Sequence, residues 1–183
     1  MKIIVISCSL HPRSRSYVLA RALVDDLQSL GVAAPLYDLR DYDLTFADAT
    51  TAHKTAHAQE IISAIRAADT VLMTLPIYNY DVNSAAKNLL EIGLQAWNNK
   101  LVGFLCAAGG RSSYMAVMGL ANHLMLDFRC LIIPRFVYAT GANFGDDRLE
   151  TMYIVNDDVK ARIRELAQTA TNLTRAVKES GAY

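Results

Sequence analysis

Cysteine is scarce in this 183-residue chain, neither sign of charge is in excess, and no apolar run is long. The three cysteines, Cys8, Cys106 and Cys130, are odd in number, widely spaced, and include no Cys-x-x-Cys pair. That pattern argues against a zinc knuckle and a redox dithiol. Cys106 and Cys130 sit in apolar runs and read as packed hydrophobes rather than reactive thiols. Eighteen basic side chains balance eighteen acidic ones, for a formal net charge of zero. The balance argues against nucleic acid as a partner, because binding there needs a basic face that displaces counterions. It argues equally against a strongly acidic carrier that docks onto basic proteins. No stretch approaches the roughly 18 uninterrupted apolar residues of a membrane span. The apolar run at residues 3–6 is too short for a signal peptide and no cleavage-site pattern follows it. These absences leave a cytoplasmic globular protein with no membrane partner, working on something small.

What is present supports a packed core. The chain is 52% hydrophobic and 20% charged, too apolar to remain disordered. Its length suits one compact domain over residues 1–183. Four nearly continuous apolar runs, at residues 2–6, 70–75, 101–107 and 130–138, have the form of parallel strands buried on both faces. A weaker fifth, at 33–39, contains Pro35, which belongs at a strand's start or on an edge. Helical patterns separate them. Leu19, Leu23, Leu27 and Leu30 share a face, and Gly31 supplies the stop. Ile61, Ile62 and Ile65 mark a second helix, and Asn83-Ser84 offers N-cap chemistry for a third carrying Leu89, Leu90 and Leu94. A fourth opens at Ser112-Ser113 with Met115, Met118, Leu124 and Met125, and a fifth follows Asp157-Asp158. The alternation of strand and helix predicts an α/β three-layer sandwich around a five-stranded parallel sheet. Residues 41–55 read as a surface excursion, and 140–156 as a loop that forms a rim or an interface.

In open parallel sheets, ligands bind beyond the carboxyl ends of the strands, where the strand order reverses. Three loops lie there. The first runs Ser7-Cys8-Ser9-Leu10-His11-Pro12-Arg13-Ser14-Arg15-Ser16 into a helix. Its hydroxyls, guanidiniums and imidazole at a helix N-terminus favour a bound phosphate over mere capping by Ser14 or Ser16. It has no glycine, which excludes the Walker loop and G-x-G-x-x-G. Cys8 is followed by Arg13 and Arg15, with Ser14 at the position that Cys-x5-Arg phosphatase chemistry requires for arginine. Cys8 therefore reads as structural. The second loop carries Pro76-Ile77-Tyr78-Asn79-Tyr80. Two aromatics around an amide suit a planar ring, which needs stacking faces and edge hydrogen bonds. Alone, Tyr and Asn in such a loop form turns more often than they bind ligands; placed across from a phosphate loop, the ring is favoured. The third, with Gly109-Gly110-Arg111, allows close backbone approach to a ligand, and taken alone fits a tight strand-to-helix turn as well. His53 and His57 stand i, i+4, but no third ligand accompanies them and an exposed helix start is favoured over a metal site.

Together the three loops resemble the NADPH-dependent FMN reductases, flavodoxin-like flavoproteins that include quinone, azo and chromate reductases. The family's first loop is similar to G-S-L-R-x-x-S-x-N, its second to P-x-Y-N followed by L-K-N, and its third is a glycine-rich turn. Here these are Cys8-Ser9-Leu10-His11-Pro12-Arg13-Ser14-Arg15-Ser16, Pro76-Ile77-Tyr78-Asn79 with Ala86-Lys87-Asn88, and Gly109-Gly110. The resemblance implies a flavodoxin-like sheet of order 2-1-3-4-5. It implies that Ser9, His11, Ser14 and Ser16 surround the FMN phosphate, and that Pro76, Ile77, Tyr78 and Asn79 border the ribityl chain and isoalloxazine. Gly109, Gly110 and Arg111 would meet the ring's polar edge. His11 stands where arginine is usual, Ile77 where glutamate is common, and Tyr80 where glycine is common. Phosphate affinity then varies with pH or shifts to Arg13 or Arg15, and Tyr80 narrows or caps the ring site.

The function so implied is an oxidoreductase passing a hydride from NADPH or NADH to bound FMN, then two electrons to a small acceptor: a quinone, an azo compound or free flavin. The cofactor carries the hard chemistry and the protein binds and orients, which agrees with the lack of a triad or paired carboxylates. An open ring face needs a wall, and the family often supplies it from a second subunit, so a homodimer or homotetramer is expected. The rival reading is a non-enzymatic FMN-binding electron carrier. It is disfavoured because a flavodoxin resembles T/S-x-T-G-x-T in its phosphate loop and is usually acidic.

Overall fold

The structure, a computed structural model, describes residues 1–181. The apolar runs form strands because both of their faces are covered. Strand β1 (Ile3–Ser7) and strand β5 (Leu101–Ala108) are buried along their whole length, and β3 (Thr70–Tyr78) up to its last residue. Alternate side chains go to opposite layers. Ile4, Ile6, Val71, Met73, Val102 and Phe104 join one cluster; Ile3, Val5, Leu72, Leu101 and Leu105 join the other. Helices α1 (Arg15–Ser29) and α5 (Asp157–Ser180) cover the second face through Leu19, Leu23, Leu27, Ile163 and Leu166. Helices α2 (Ala56–Ala67), α3 (Ser84–Gly93) and α4 (Met118–Phe128) cover the first. Two helical layers thus sandwich the sheet, as the alternation predicts.

Strand β2 (Leu36–Asp38) pairs with β1, β1 with β3, and β3 with β5, all parallel. The fifth position is occupied by two pieces, β6 (Leu131–Ile132) and β7 (Val137–Thr140), both parallel to β5. The expected order 2-1-3-4-5 therefore holds, but the sheet has seven strands rather than five. One extra comes from breaking the last run. Residues 133–136 bulge opposite 103 and 104, where Pro134 has no N–H to donate and Arg135 adopts φ +61°. The other is β4 (Asp81–Val82), antiparallel to the end of β3. A small hairpin of β8 (Phe144–Gly145) and β9 (Tyr153–Ile154) stands apart from the main sheet.

Three local expectations are corrected. The helix expected from Ser112-Ser113 is a 3-10 turn over Arg111–Val117, with Ser113 outside helical geometry, and the α-helix starts only at Met118. Its core face is Val117, Leu120, Ala121 and Leu124, so Met115, Met118 and Met125 point to solvent. Asn83 does precede α3, yet its side chain does not cap it; Nδ2 donates instead to the Cys8 carbonyl at 2.7 Å. His57 Nδ1 accepts from the Asp43 N–H at 2.7 Å, and no cluster of metal-ligating side chains occurs among the described residues. All three thiols are buried. Burial raises Cys106 to about 12 and Cys130 to about 11, and Cys8 is raised further, so all stay neutral and structural. No described helix is long and apolar enough to cross a membrane.

Candidate functional site

Strand order reverses between β1 and β3, and the carboxyl ends of β1, β3 and β5 open there onto a cleft of about 650 Å³. That size lies within the roughly 300–1,000 Å³ of small-molecule sites. Ser9, Ser14, Arg15 and Ser16 form one end, Pro76 to Tyr80 one side, and Ala107 to Gly110 with Ser113 the other.

The loop after β1 is held by its carbonyls. The Cys8 carbonyl accepts from Asn83 Nδ2, the Pro12 carbonyl from Arg40 Nη1 and the Arg13 carbonyl from Arg148 Nη1, each at 2.7 Å. Arg40 is itself fixed by the Asp38 carboxylate and lies 4.4 Å from the centre of the Tyr17 ring. With those carbonyls taken, the serine side chains of the loop are left to line the cleft. Ser14 caps α1, its Oγ accepting from the Tyr17 N–H at 3.1 Å, and the first-turn N–H groups of Arg15 and Ser16 have no intrahelical acceptor. Ser9, Ser14 and Ser16 are all buried, and Ser16 Oγ has no hydrogen-bond partner in the protein. A buried hydroxyl without a partner beside open N–H groups at a helix N-terminus fits a phosphate.

The opposite side is a tight hairpin. Ile77 pairs with Val82 and Tyr78 with Asp81, so Asn79 and Tyr80 form a two-residue turn, both at positive φ (+51° and +62°). Glycine is the natural residue at the second position of such a turn. Tyr80 there carries strain, and its ring is exposed at the cleft mouth with its hydroxyl 3.3 Å from Ser112 Oγ. Tyr80→Gly is therefore expected to raise stability by about 0.5–1 kcal/mol, relief of the left-handed conformation outweighing glycine's greater unfolded-state entropy. Chemical denaturation against the wild type measures it. Across the cleft, a Cβ added to Gly109 or Gly110 would meet nothing within 4 Å, which leaves room for a flat ring against the backbone.

The segment following β7 closes the third side. Arg15 is paired with Asp147, its Nε donating to Oδ1 at 2.7 Å, and Nη1 donates to the Ala108 carbonyl at 3.3 Å. A Cβ at Gly141 would lie 2.6 Å from the same guanidinium, so a side chain there would push Arg15 from this position. The hydrogen bonds from Arg15 hold the Asp147 carboxyl below its ordinary range against the opposing effect of burial. A depressed carboxylate contributes stability that is complete above the unfolded value, about 3.9, and is lost as pH falls through the folded one. Amide protection of residues 141–149 is expected to be flat from neutral pH to about 4 and to fall below it. In Asp147→Asn that protection should be low throughout.

Of the residues read from the sequence, Ser9, Ser14, Arg15, Ser16, Pro76, Ile77, Tyr78, Asn79, Tyr80, Gly109 and Gly110 come together on this cleft. His11, Arg13 and Arg111 do not line it. His11 Nδ1 accepts from the Arg13 N–H at 3.0 Å, which turns the imidazole back on its own loop. Arg111 lines a neighbouring pocket with Tyr114, Phe136, Tyr138 and Arg162. Sequence reasoning missed Ser113 and Arg148. Ser113 belonged to a loop already marked, but Arg148 is distant in sequence and no motif announces it.

Residues 1–144 match the family model of the NADPH-dependent FMN reductases. The chain is 32% identical over 177 residues to an FMN reductase (NADPH) of Pseudomonas aeruginosa, covering 94% of this chain and 91% of the relative. It is 27% identical over 150 residues to an NAD(P)H-dependent FAD/FMN reductase of Geobacillus thermodenitrificans, covering 81% and 79%. In fold it is similar to FerB, a flavoenzyme NAD(P)H:(acceptor) oxidoreductase from Paracoccus denitrificans, with a TM-score of 0.75 at 17% identity over 96% of this chain and 97% of that one. With its first 144 residues matched by the family model and a 32%-identical relative covering 94% of the chain, this protein belongs to the NADPH-dependent FMN reductase family, flavin-dependent oxidoreductases.

Proposed function

We propose that the cleft holds FMN with its phosphate among Ser9, Ser14 and Ser16 and its isoalloxazine between residues 76–80 and Gly109-Gly110. The observation that carries this reading is the partnerless Ser16 hydroxyl, buried at the open N-terminus of α1 on the cleft wall. When bound, FMN supplies the redox chemistry, accepting a hydride from NADPH or NADH and returning two electrons to a small acceptor such as a quinone, an azo compound or free flavin. The protein binds, orients and shapes access. Backbone N–H groups near Asn79 and Gly110 stabilise negative charge gained at the ring's polar edge. One cleft serves donor and acceptor in turn. Tyr80, exposed at the cleft mouth, and Tyr114 and Met115, exposed on the turn that follows Gly110, support a second copy of the chain as the missing wall, in a homodimer or a pair of them.

The test is anaerobic. A yellow purified protein bleached by NADPH or NADH within turnover time, and recoloured by a quinone, supports the reductase. A yellow protein indifferent to both nicotinamides makes it an electron carrier, and a colourless protein that cannot be reconstituted with FMN overturns the flavin reading. Sedimentation of the flavin-loaded protein settles the oligomer.

A further inference from the structure

The phosphate of FMN is a dianion near neutral pH, and the cations closest in sequence to its loop are otherwise engaged. Arg15 is committed to the Asp147 carboxylate and the Ala108 carbonyl. His11 and Arg13 do not line the cleft. Arg40 is bound to Asp38 and Pro12 on the far side of the loop. One guanidinium remains on the cleft wall. Arg148 lines it with Ser9, Ser14 and Ser16, and its Nη1 bonds the carbonyl of Arg13, the residue preceding the Ser14 cap. Among the described residues no carboxylate pairs with it: its neighbour Asp147, which it attracts, is taken by Arg15. A guanidinium has five N–H donors in a planar fork matched to phosphate oxygens, and a single bond to a carbonyl leaves most of them available.

The backbone makes its presence there notable. The Leu149 N–H donates to the Asp146 carbonyl at 2.8 Å, closing a turn in which Arg148 is third, at φ +65°. That position favours glycine. An arginine held in a glycine conformation on a cleft wall is the kind of local strain that functional sites retain.

We infer that Arg148, delivered from the loop after β7, is the charged ligand of the FMN phosphate in this chain, taking the place that the first loop leaves to a histidine. The inference rests on the flavin reading above and adds to it the cation and the segment that supplies it. The family match ends at residue 144, so the arginine lies outside the part of the chain that the family model covers.

The experiment binds FMN and riboflavin separately to flavin-stripped protein, following quenching of flavin fluorescence, for the wild type, Arg148→Gly and Arg148→Lys. Arg148→Gly relieves the turn but gives up the bond to the Arg13 carbonyl, so its melting temperature should stay close to the wild type's. It should weaken FMN roughly ten- to a hundredfold, the range of charge-assisted hydrogen bonds, and leave riboflavin affinity unchanged. Arg148→Lys should recover part of the loss. Equal FMN affinity in Arg148→Gly and wild type overturns the assignment. So does a parallel loss of FMN and riboflavin, which would make Arg148 a packing residue of the loop. A wild-type protein that binds neither flavin, or both with equal affinity, overturns the phosphate site itself and is distinguishable from either.

Discussion

Ser14→Asp is expected to abolish FMN binding while leaving the fold intact. Serine and aspartate cap helices about equally well, and the carboxylate would accept from the Tyr17 N–H as Ser14 Oγ does now at 3.1 Å. The positive end of the α1 dipole would stabilise the new charge. The phosphate would not tolerate it. Ser14 is 3% exposed on the cleft wall, so solvent screens the site poorly. Two unit charges 4 Å apart repel by roughly 4 kcal/mol at an effective dielectric of 20, which is roughly a thousandfold in Kd. The purified variant should be colourless, with an unchanged melting temperature and retained affinity for riboflavin. Yellow Ser14→Asp protein would place the phosphate elsewhere.

Trp97→Ala is expected to produce the largest loss of stability of any single substitution discussed. Trp97 is fully buried after the end of α3, with Nε1 donating to the Leu89 carbonyl at 3.4 Å, and its own carbonyl accepts from Cys130 Sγ at 3.2 Å. It fills the space that glycine leaves at position 93, where a Cβ would fall 2.2 Å from Nε1. Removing so large a side chain costs about 3–5 kcal/mol, transfer and cavity terms together. For a chain of this size that corresponds to a fall in melting temperature of roughly 6–20 °C. Trp97 precedes the amino end of β5, whereas the cleft lies at the carboxyl ends. The folded fraction of Trp97→Ala should therefore keep the wild-type FMN affinity. A large drop in flavin affinity per folded molecule would show that core and site are coupled.

Much of this protein was legible in its sequence. Nearly continuous apolar runs at 2–6, 70–75 and 101–107 leave almost no polar face for water, which suits central parallel strands, and the helices between them follow from their leucine and isoleucine spacing. Those two facts fix which ends of the strands face the loops, and hence that Ser9, Ser14, Ser16, Tyr78, Asn79, Gly109 and Gly110 share one cleft. Less was legible where a residue's role depends on a distant partner. Tyr80 enters the left-handed region because β4 folds back on β3 after two residues, which a loop rich in tyrosine and asparagine does not disclose.

Charge placement was the least legible. Nothing local distinguishes Arg13, Arg15, Arg111 and Arg148, since a guanidinium's availability depends on which carboxylate reaches it first. By itself the sequence determined the sandwich, the cleft's position and its serine and glycine walls, because burial and turn chemistry are local consequences of residue type. Only the tertiary structure decided that Arg15 goes to Asp147, that His11 turns back on its own loop, and that Arg148 reaches the loop after β1 from 135 residues beyond Arg13. Electrostatic pairing acts through space and competes among distant partners, and that competition is settled only once the chain has folded.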